Sequence, residues 1–183
     1  IPAADPRVAD HLVEGRTVAA GALLLAEAVR ACSFAAPFAL ADVVWHRTVE
    51  IGAGGLAVQA VERDGRVEIR VDGAAVAEFA KTAVQEGLPP ALPTEGALDR
   101  LLDGDALYRL LTGAGVGYGP AYARIVRLTS SGASAVADLA APGEAVPGPL
   151  DPRMLDAALQ ACAGIVVGDG AGLRPASIDR LSV

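Results

Sequence analysis

Side chains that usually announce chemistry are few in this sequence. Of its 183 residues, two are cysteine and two are histidine. Cys32 and Cys162 cannot build a disulfide framework, and no Cys-x-x-Cys spacing exists for zinc. His11 and His46 add too few ligands for a histidine-rich metal centre. Positive charge is also short: 15 Lys and Arg stand against 22 Asp and Glu, a formal net charge of −7. That balance excludes a surface built to displace counterions from nucleic acid. No apolar run is long enough to cross a bilayer, since the longest, Val18 to Val29, is short and carries Glu27. A charged start followed by an apolar run and a cleavage site is missing too, so no secretory signal is expected and the setting is read as cytoplasmic. The chain opens on Ile1-Pro2 without a methionine, which reads as a piece of something longer. No Gly-x-Ser-x-Gly elbow is present, which argues against a Ser-His-Asp hydrolase. Aromatic residues make up only 4%, so the core has to come from Ala, Val, Leu and Ile.

What is present is the composition of a globular protein, 52% hydrophobic and 20% charged. Ala19 to Ala31 (AAGALLLAEAVRA) consists almost wholly of strong helix formers. Leu24, Ala28 and Ala31 form one stripe and Glu27 and Arg30 another, and most of the circumference is apolar. A buried helix is predicted. Strands are predicted at Asp42–Ile51, Leu56–Arg63, Arg66–Val71 and Ala74–Val84. Asp64-Gly65 and Asp72-Gly73 supply hairpin turns between the last three. The first half thus reads as one long helix and a four-strand antiparallel meander. Gln85 to Thr94 (QEGLPPALPT) is a proline-rich boundary. Beyond it come a short helix at Asp105–Leu111 ended by Gly113, a hairpin from Arg124–Thr129 and Ala133–Ala140, and an N-cap with Pro at the first helical position, Asp151-Pro152. These residues open a second apolar helix, Met154 to Val167, and Ser177 to Val183 is read as the final strand. The second half repeats the architecture of the first, but it offers a single strand after its central helix and reads as shortened.

Three features can carry chemistry. Asp156 lies on the first turns of an apolar helix, where burial without a partner would leave it protonated. Gln160, four residues on, shares its face and can hydrogen-bond it. A neutral acid held by an amide suits general-acid catalysis; a partly exposed aspartate complementing the helix dipole is the other reading. His11 precedes the first central helix. A lone histidine there is ordinarily structural, but each half has one central helix and one proton-transfer group beside it, so two halves packed together could share a cleft. Gly117-Tyr118-Gly119-Pro120 specifies a tight turn carrying a phenol, or else an ordinary helix-to-strand connection with an exposed tyrosine. The preceding glycines do not make a dinucleotide loop, because they follow a helix rather than a strand. His46, between Trp45 and Arg47, is read as a surface or edge residue.

Together, His11-x-x-x-Gly15, Gly117-Tyr118-Gly119-Pro120 and Asp156-x-x-x-Gln160 resemble the motifs of polyketide synthase dehydratase domains, in that family's order and across nearly the whole chain. The resemblance implies an α+β double hot dog, two halves that each wrap an antiparallel sheet around a long central helix. Residues 1–88 would form the first half, 89–98 a linker and 99–183 the second, in one pseudo-dimeric domain. It implies dehydration of a β-hydroxyacyl thioester carried on the phosphopantetheine of an acyl carrier protein, with His11 removing the α-proton and Asp156 protonating the departing hydroxyl. Backbone N–H groups near Gly21 would polarise the thioester carbonyl, and Tyr118, Gly119, Pro120 and Gln160 would bind substrate or position Asp156. It implies no cofactor, and as partners the carrier protein, other synthase domains and a second copy of the chain. Two positions depart from the family pattern: Ala20 stands where a proline closes the first motif, and Asp151 where a histidine precedes Pro152. Ala20 motivates a second reading, an enoyl-thioester isomerase. The shortened second half motivates a third, a non-catalytic dimerisation or docking element.

Overall fold

A computed structural model describes residues 1–84, 98–131, 133–166 and 176–183. A short helix α1 (Pro6–Ala9) leads into β1 (His11–Val13) and β2 (Arg16–Thr17), and then into the central helix α2 (Gly21–Ala31). Every α2 residue from Ala22 to Val29 is buried, as the apolar circumference predicts. β3 (Ala39–Trp45), β4 (Val58–Arg63), β5 (Arg66–Val71) and β6 (Ala74–Thr82) follow. On β5, Val67, Ile69 and Val71 are buried and alternate with Glu68 and Arg70, the period-two pattern of a sheet with one face on a core. These side chains join Leu23, Leu25 and Val29 of α2 in one cluster with Phe79. Both hairpin turns take positive φ at both central residues, 50° and 77° at Asp64-Gly65 and 51° and 77° at Asp72-Gly73. This is the primed turn whose twist matches that of the strands.

The four-strand meander is not what forms. Together with the last strand, β11 (Ser177–Ser182), the sheet runs β11-β3-β6-β5-β4. The two Asp-Gly turns enforce β4-β5-β6, whereas the long Trp45-to-Val58 connection carries no hairpin turn and lets β3 cross to pair with β6. β3 also starts earlier and stops sooner than predicted. A bulge between Ala41 and Val44, with Asp42 at φ 49°, turns the chain, and it leaves the sheet after Trp45, which puts His46 outside the strand. β11, grouped with the second half from its position in the chain, pairs with β3 of the first.

In the second half, β7 (Arg100–Asp103), which the sequence did not suggest, precedes α3 (Gly104–Gly113), β8 (Val116–Tyr118), β9 (Ile125–Ser130) and β10 (Ala135–Leu139). The order β10-β9-β7 forms a small sheet. Leu107, Ile125, Leu128 and Ala157 make a second core beneath it. The second apolar helix is shorter than predicted: α4 covers Pro152–Ala161, and α5 (Ala163–Val166) follows a break. At the break the Cys162 N–H bonds the Leu159 carbonyl, a tightened last turn, and Gly164 beyond it is a poor helix former. Most of the 89–98 linker lies outside the described residues. A third sheet, β2-β1-β8, joins the N-terminal segment to the second half, and α2 and α4 pack on each other. Among the described residues no helix is long and apolar enough to cross a membrane.

Candidate active site

His11 opens β1, and the local chain explains why the motif ends in glycine. Glu14 and Gly15 take φ 51° and 75°, closing a tight hairpin in which Leu12 faces Thr17. The returning strand carries the Val18 carbonyl to His11 Nδ1 at 3.0 Å. A carbonyl only accepts, so Nδ1 is the donor, and whenever the ring carries one proton Nε2 is the nitrogen with the lone pair. The ring is 9% exposed. It is flanked edge-on by Tyr118 and Tyr122, with centroids at 5.4 and 5.7 Å.

Tyr118 is not at an exposed turn tip: it ends β8, opposite His11 in the ladder. Gly119 and Ala121, on either side of Pro120, act through the backbone. The Gly119 N–H donates to the Asp10 carbonyl at 2.8 Å, and the Ala121 N–H to Asp10 Oδ2 at 2.7 Å. A Cβ on Gly119 would collide with the Asp10 side chain, so only glycine allows this approach. Pro120 is exposed. The turn buries Tyr122 completely, with its hydroxyl donating to the Arg7 carbonyl at 2.9 Å.

Asp156 reaches the same place from α4. Asp151 caps that helix by accepting the Arg153 N–H at 2.9 Å. The helix-terminus role therefore belongs to Asp151, and Asp156 is free of it. Asp156 is 6% exposed, and Gln160 Nε2 donates to its Oδ2 at 2.7 Å, the one-turn pairing predicted. Burial lifts the Asp156 carboxyl above the usual carboxylate range, against the opposing pull of the His11 charge and of the Gln160 N–H. Gln160 Nε2 also reaches the Tyr122 carbonyl at 3.1 Å, and the Tyr122 ring flanks His11, so His11 and Asp156 both border Tyr122. Burial, with the Asp156 charge adding to it, likewise pushes the phenols of Tyr118 and Tyr122 upward, keeping them neutral donors.

Gly21 opens α2. Ala20 in front of it offers no side-chain cap, so the first N–H groups of the helix are left to bind a partial negative charge. A Cβ on Gly21 would press into the Trp45 indole, 2.7 Å from Nε1, and that Nε1 donates to the Gly21 carbonyl at 3.1 Å. Ala20 holds φ −58° with ψ 136°, and that φ is the one a proline ring would impose. The turn before Gly21 therefore keeps its path without one.

Tyr108 and Tyr122 were missed by sequence reasoning. The signal was available: the chain has three tyrosines, and all three meet between His11 and Gln160, Tyr118 and Tyr122 edge-on to His11 and Tyr108 packed on Tyr118 and bonded to Gln160. The cluster sets a histidine whose Nδ1 is already engaged beside a buried carboxyl whose burial favours the protonated form, the kinds of group an elimination draws on.

The raised Asp156 carboxyl has a consequence for stability. The folded state holds this proton more tightly than an unfolded aspartate, whose ordinary value is 3.8. The associated stability is full below that value and is lost as pH rises through the raised one. Asparagine never ionises and can still accept from Gln160. Urea denaturation of Asp156→Asn is therefore expected to show the variant more stable at high pH, with the two curves meeting in acid. Parallel curves at all pH would contradict a raised carboxyl.

Residues 89–183 match the family model described as the polyketide synthase dehydratase N-terminal domain. Polyketide synthase ThaG of Burkholderia thailandensis is 32% identical over 91% of this chain, which spans only 3% of that synthase. The crystal structure of a trans-AT PKS dehydratase domain from Brevibacillus brevis superposes with a TM-score of 0.80 at 20% identity, covering 100% of this chain and 74% of that one. The dehydratase domain of PpsC from Mycobacterium tuberculosis, solved in complex with C12:1-CoA, gives 0.68 at 28% identity, covering 90% and 65%. The fold is the double hot dog.

Proposed function

The chain belongs to the polyketide synthase dehydratase family, and from that premise we propose that it removes water from a β-hydroxyacyl thioester presented on the phosphopantetheine arm of an acyl carrier protein. The observation that carries this reading is the geometry around Tyr122: on one side lies His11, whose Nδ1 is spent on the Val18 carbonyl and whose Nε2 is left to accept, and on the other the buried Asp156 held by Gln160, its carboxyl shifted by burial toward the protonated form. His11 Nε2 takes the α-proton. The C–H electron pair becomes the new Cα–Cβ π bond as the Cβ–O bond breaks. Asp156 gives its proton to the departing hydroxyl, which leaves as water. The imidazolium and carboxylate left behind return to their starting states by passing the proton back. Enolate charge developing on the thioester oxygen is met by the uncapped N–H groups of Gly21 and Ala22. Tyr118 lines the substrate's side of His11, and Gln160 orients Asp156. PpsC, a relative at 28% identity, was solved with an acyl thioester of coenzyme A, the same functional group.

The two halves, 1–88 and 99–183 joined by 89–98, are taken to act as one pseudo-dimeric unit, since His11 and Asp156 come from different halves. The carrier protein, other synthase domains and a second copy of the chain are its proposed partners, in the cytoplasm. Incubation of the chain with a carrier-bound β-hydroxyacyl thioester is expected to yield the enoyl thioester, seen by mass spectrometry of the carrier as loss of one water. Folded protein that leaves the substrate unchanged would overturn the proposal. Migration of a double bond in a supplied α,β-enoyl thioester without any hydration would favour the isomerase instead.

A further inference from the structure

Gln160 is held from two sides by groups whose hydrogen-bonding sense cannot reverse. On one side the Tyr122 carbonyl only accepts, and it takes Nε2–H at 3.1 Å. On the other the Ile125 N–H only donates, and it gives to the Tyr108 phenol oxygen at 2.9 Å. The phenol's own proton then goes to Gln160 Oε1, at 2.9 Å. Turning the amide over would set its oxygen against the Tyr122 carbonyl, acceptor to acceptor. Its orientation is thereby fixed, with Nε2 facing Asp156 Oδ2 at 2.7 Å. An oxygen already receiving an N–H is the poor place for an acid's proton. The chain therefore runs in one direction, from Ile125 through Tyr108 and Gln160 to Asp156, and the atom left to bear the proton is Oδ1.

We propose that Tyr108 is a positioning residue which, through Gln160, assigns the proton of Asp156 to Oδ1 and keeps Oδ2 as an acceptor. The inference rests on the dehydratase reading only for the use made of that proton; the hydrogen-bond chain does not depend on it. Donation to Oδ2 favours the charged carboxyl and so tempers the effect of burial. Without the Tyr108 hydroxyl the amide is held from one side only, by the Tyr122 carbonyl, and its Nε2–H, no longer polarised by a donor on Oε1, gives more weakly to Oδ2, so the acid holds its proton more tightly. The other titratable groups facing Asp156 are His11 from β1, Tyr118 from β8 and Tyr122 from the turn after it. Of the elements packed on α4, α2 carries Glu27, engaged by Arg7 and Arg30. β9 and β10 carry Arg127 and Asp138, exposed and paired with each other. α5 carries no ionisable side chain.

The test is a carboxyl ¹³C titration of the full chain, with the Asp156 signal identified by its loss in Asp156→Asn. In Tyr108→Phe its midpoint is expected at higher pH. In steady-state assays kcat is expected to fall roughly tenfold with KM nearly unchanged, and the alkaline limb of the rate profile should follow the titration. In a Gln160→Ala background, Tyr108→Phe should add no further loss, because its effect is transmitted through Gln160. An unmoved midpoint, or losses that add in full, would overturn the proposal. Gln160→Leu removes the same donor from the other side and should also raise the midpoint; an unmoved titration there overturns it even if Tyr108→Phe does not fold. Absence of water loss by the parent chain would refute the dehydratase reading alone, since the titration is read without turnover.

Discussion

Replacing His11 by alanine is expected to lower the rate of water loss by about 10³- to 10⁴-fold, the upper range for removing a positioned general base, while the chain still folds. The imidazole is the nitrogen base of the site, with Nδ1 engaged by Val18 and Nε2 left to accept. The phenols around it are neutral, and burial moves them further from ionisation. No neighbour can replace it as a base. The structural cost is small by comparison: one hydrogen bond to Val18 and the edge contacts with two tyrosines, about 1–2 kcal/mol. Circular dichroism and thermal unfolding of His11→Ala should therefore resemble the parent, while the steady-state rate collapses. Added imidazole should recover part of the lost rate by occupying the space left by the ring. Turnover within tenfold of the parent would remove His11 from the reaction.

Asp156→Asn is expected to lower water loss by about 10²- to 10⁴-fold, and its dependence on the leaving group should separate it from His11→Ala. Asparagine preserves the shape of the side chain and an acceptor for Gln160 Nε2, but it has no proton to give. A β-hydroxyl leaves as water only when protonated, whereas β-fluoride leaves as an anion. With a β-fluoroacyl thioester the asparagine variant should therefore recover much of its deficit, and the alanine variant at position 11 should recover none. Equal deficits on both substrates in Asp156→Asn would mean that the residue supports the site without delivering a proton.

Much of this site was legible in the sequence because its motifs encode local geometry. His11 and Gly15 belong together because the hairpin that returns Val18 to the ring needs a left-handed residue at its turn. Asp156 and Gln160 belong together because four residues make one helical turn. The Asp-Gly turns that order β4, β5 and β6 are equally local. What the sequence did not show depends on pairing between distant segments. β3 lies beside β6, β11 beside β3, and β8 beside β1, and no turn residue or periodicity announces any of the three. Tyr118 was placed at a turn tip for the same reason: its strand exists only through pairing with His11 and its neighbours.

Tyr108 shows the limit most sharply. In the sequence it is one residue of a short amphipathic helix, partly exposed by its pattern. Its importance comes from standing between the Ile125 N–H and Gln160, residues 17 and 52 positions away.

The sequence alone determined the two central helices, the turns, the candidate residues His11 and Asp156, and the family these motifs resemble, because each rests on interactions within a few residues. The tertiary structure decided the rest: that Nδ1 of His11 is the engaged nitrogen, that Asp156 is buried, and that three tyrosines gather between His11 and Gln160. A proton's position depends on desolvation and on which groups lie opposite, and both are set only when segments far apart in the chain close over the same cleft.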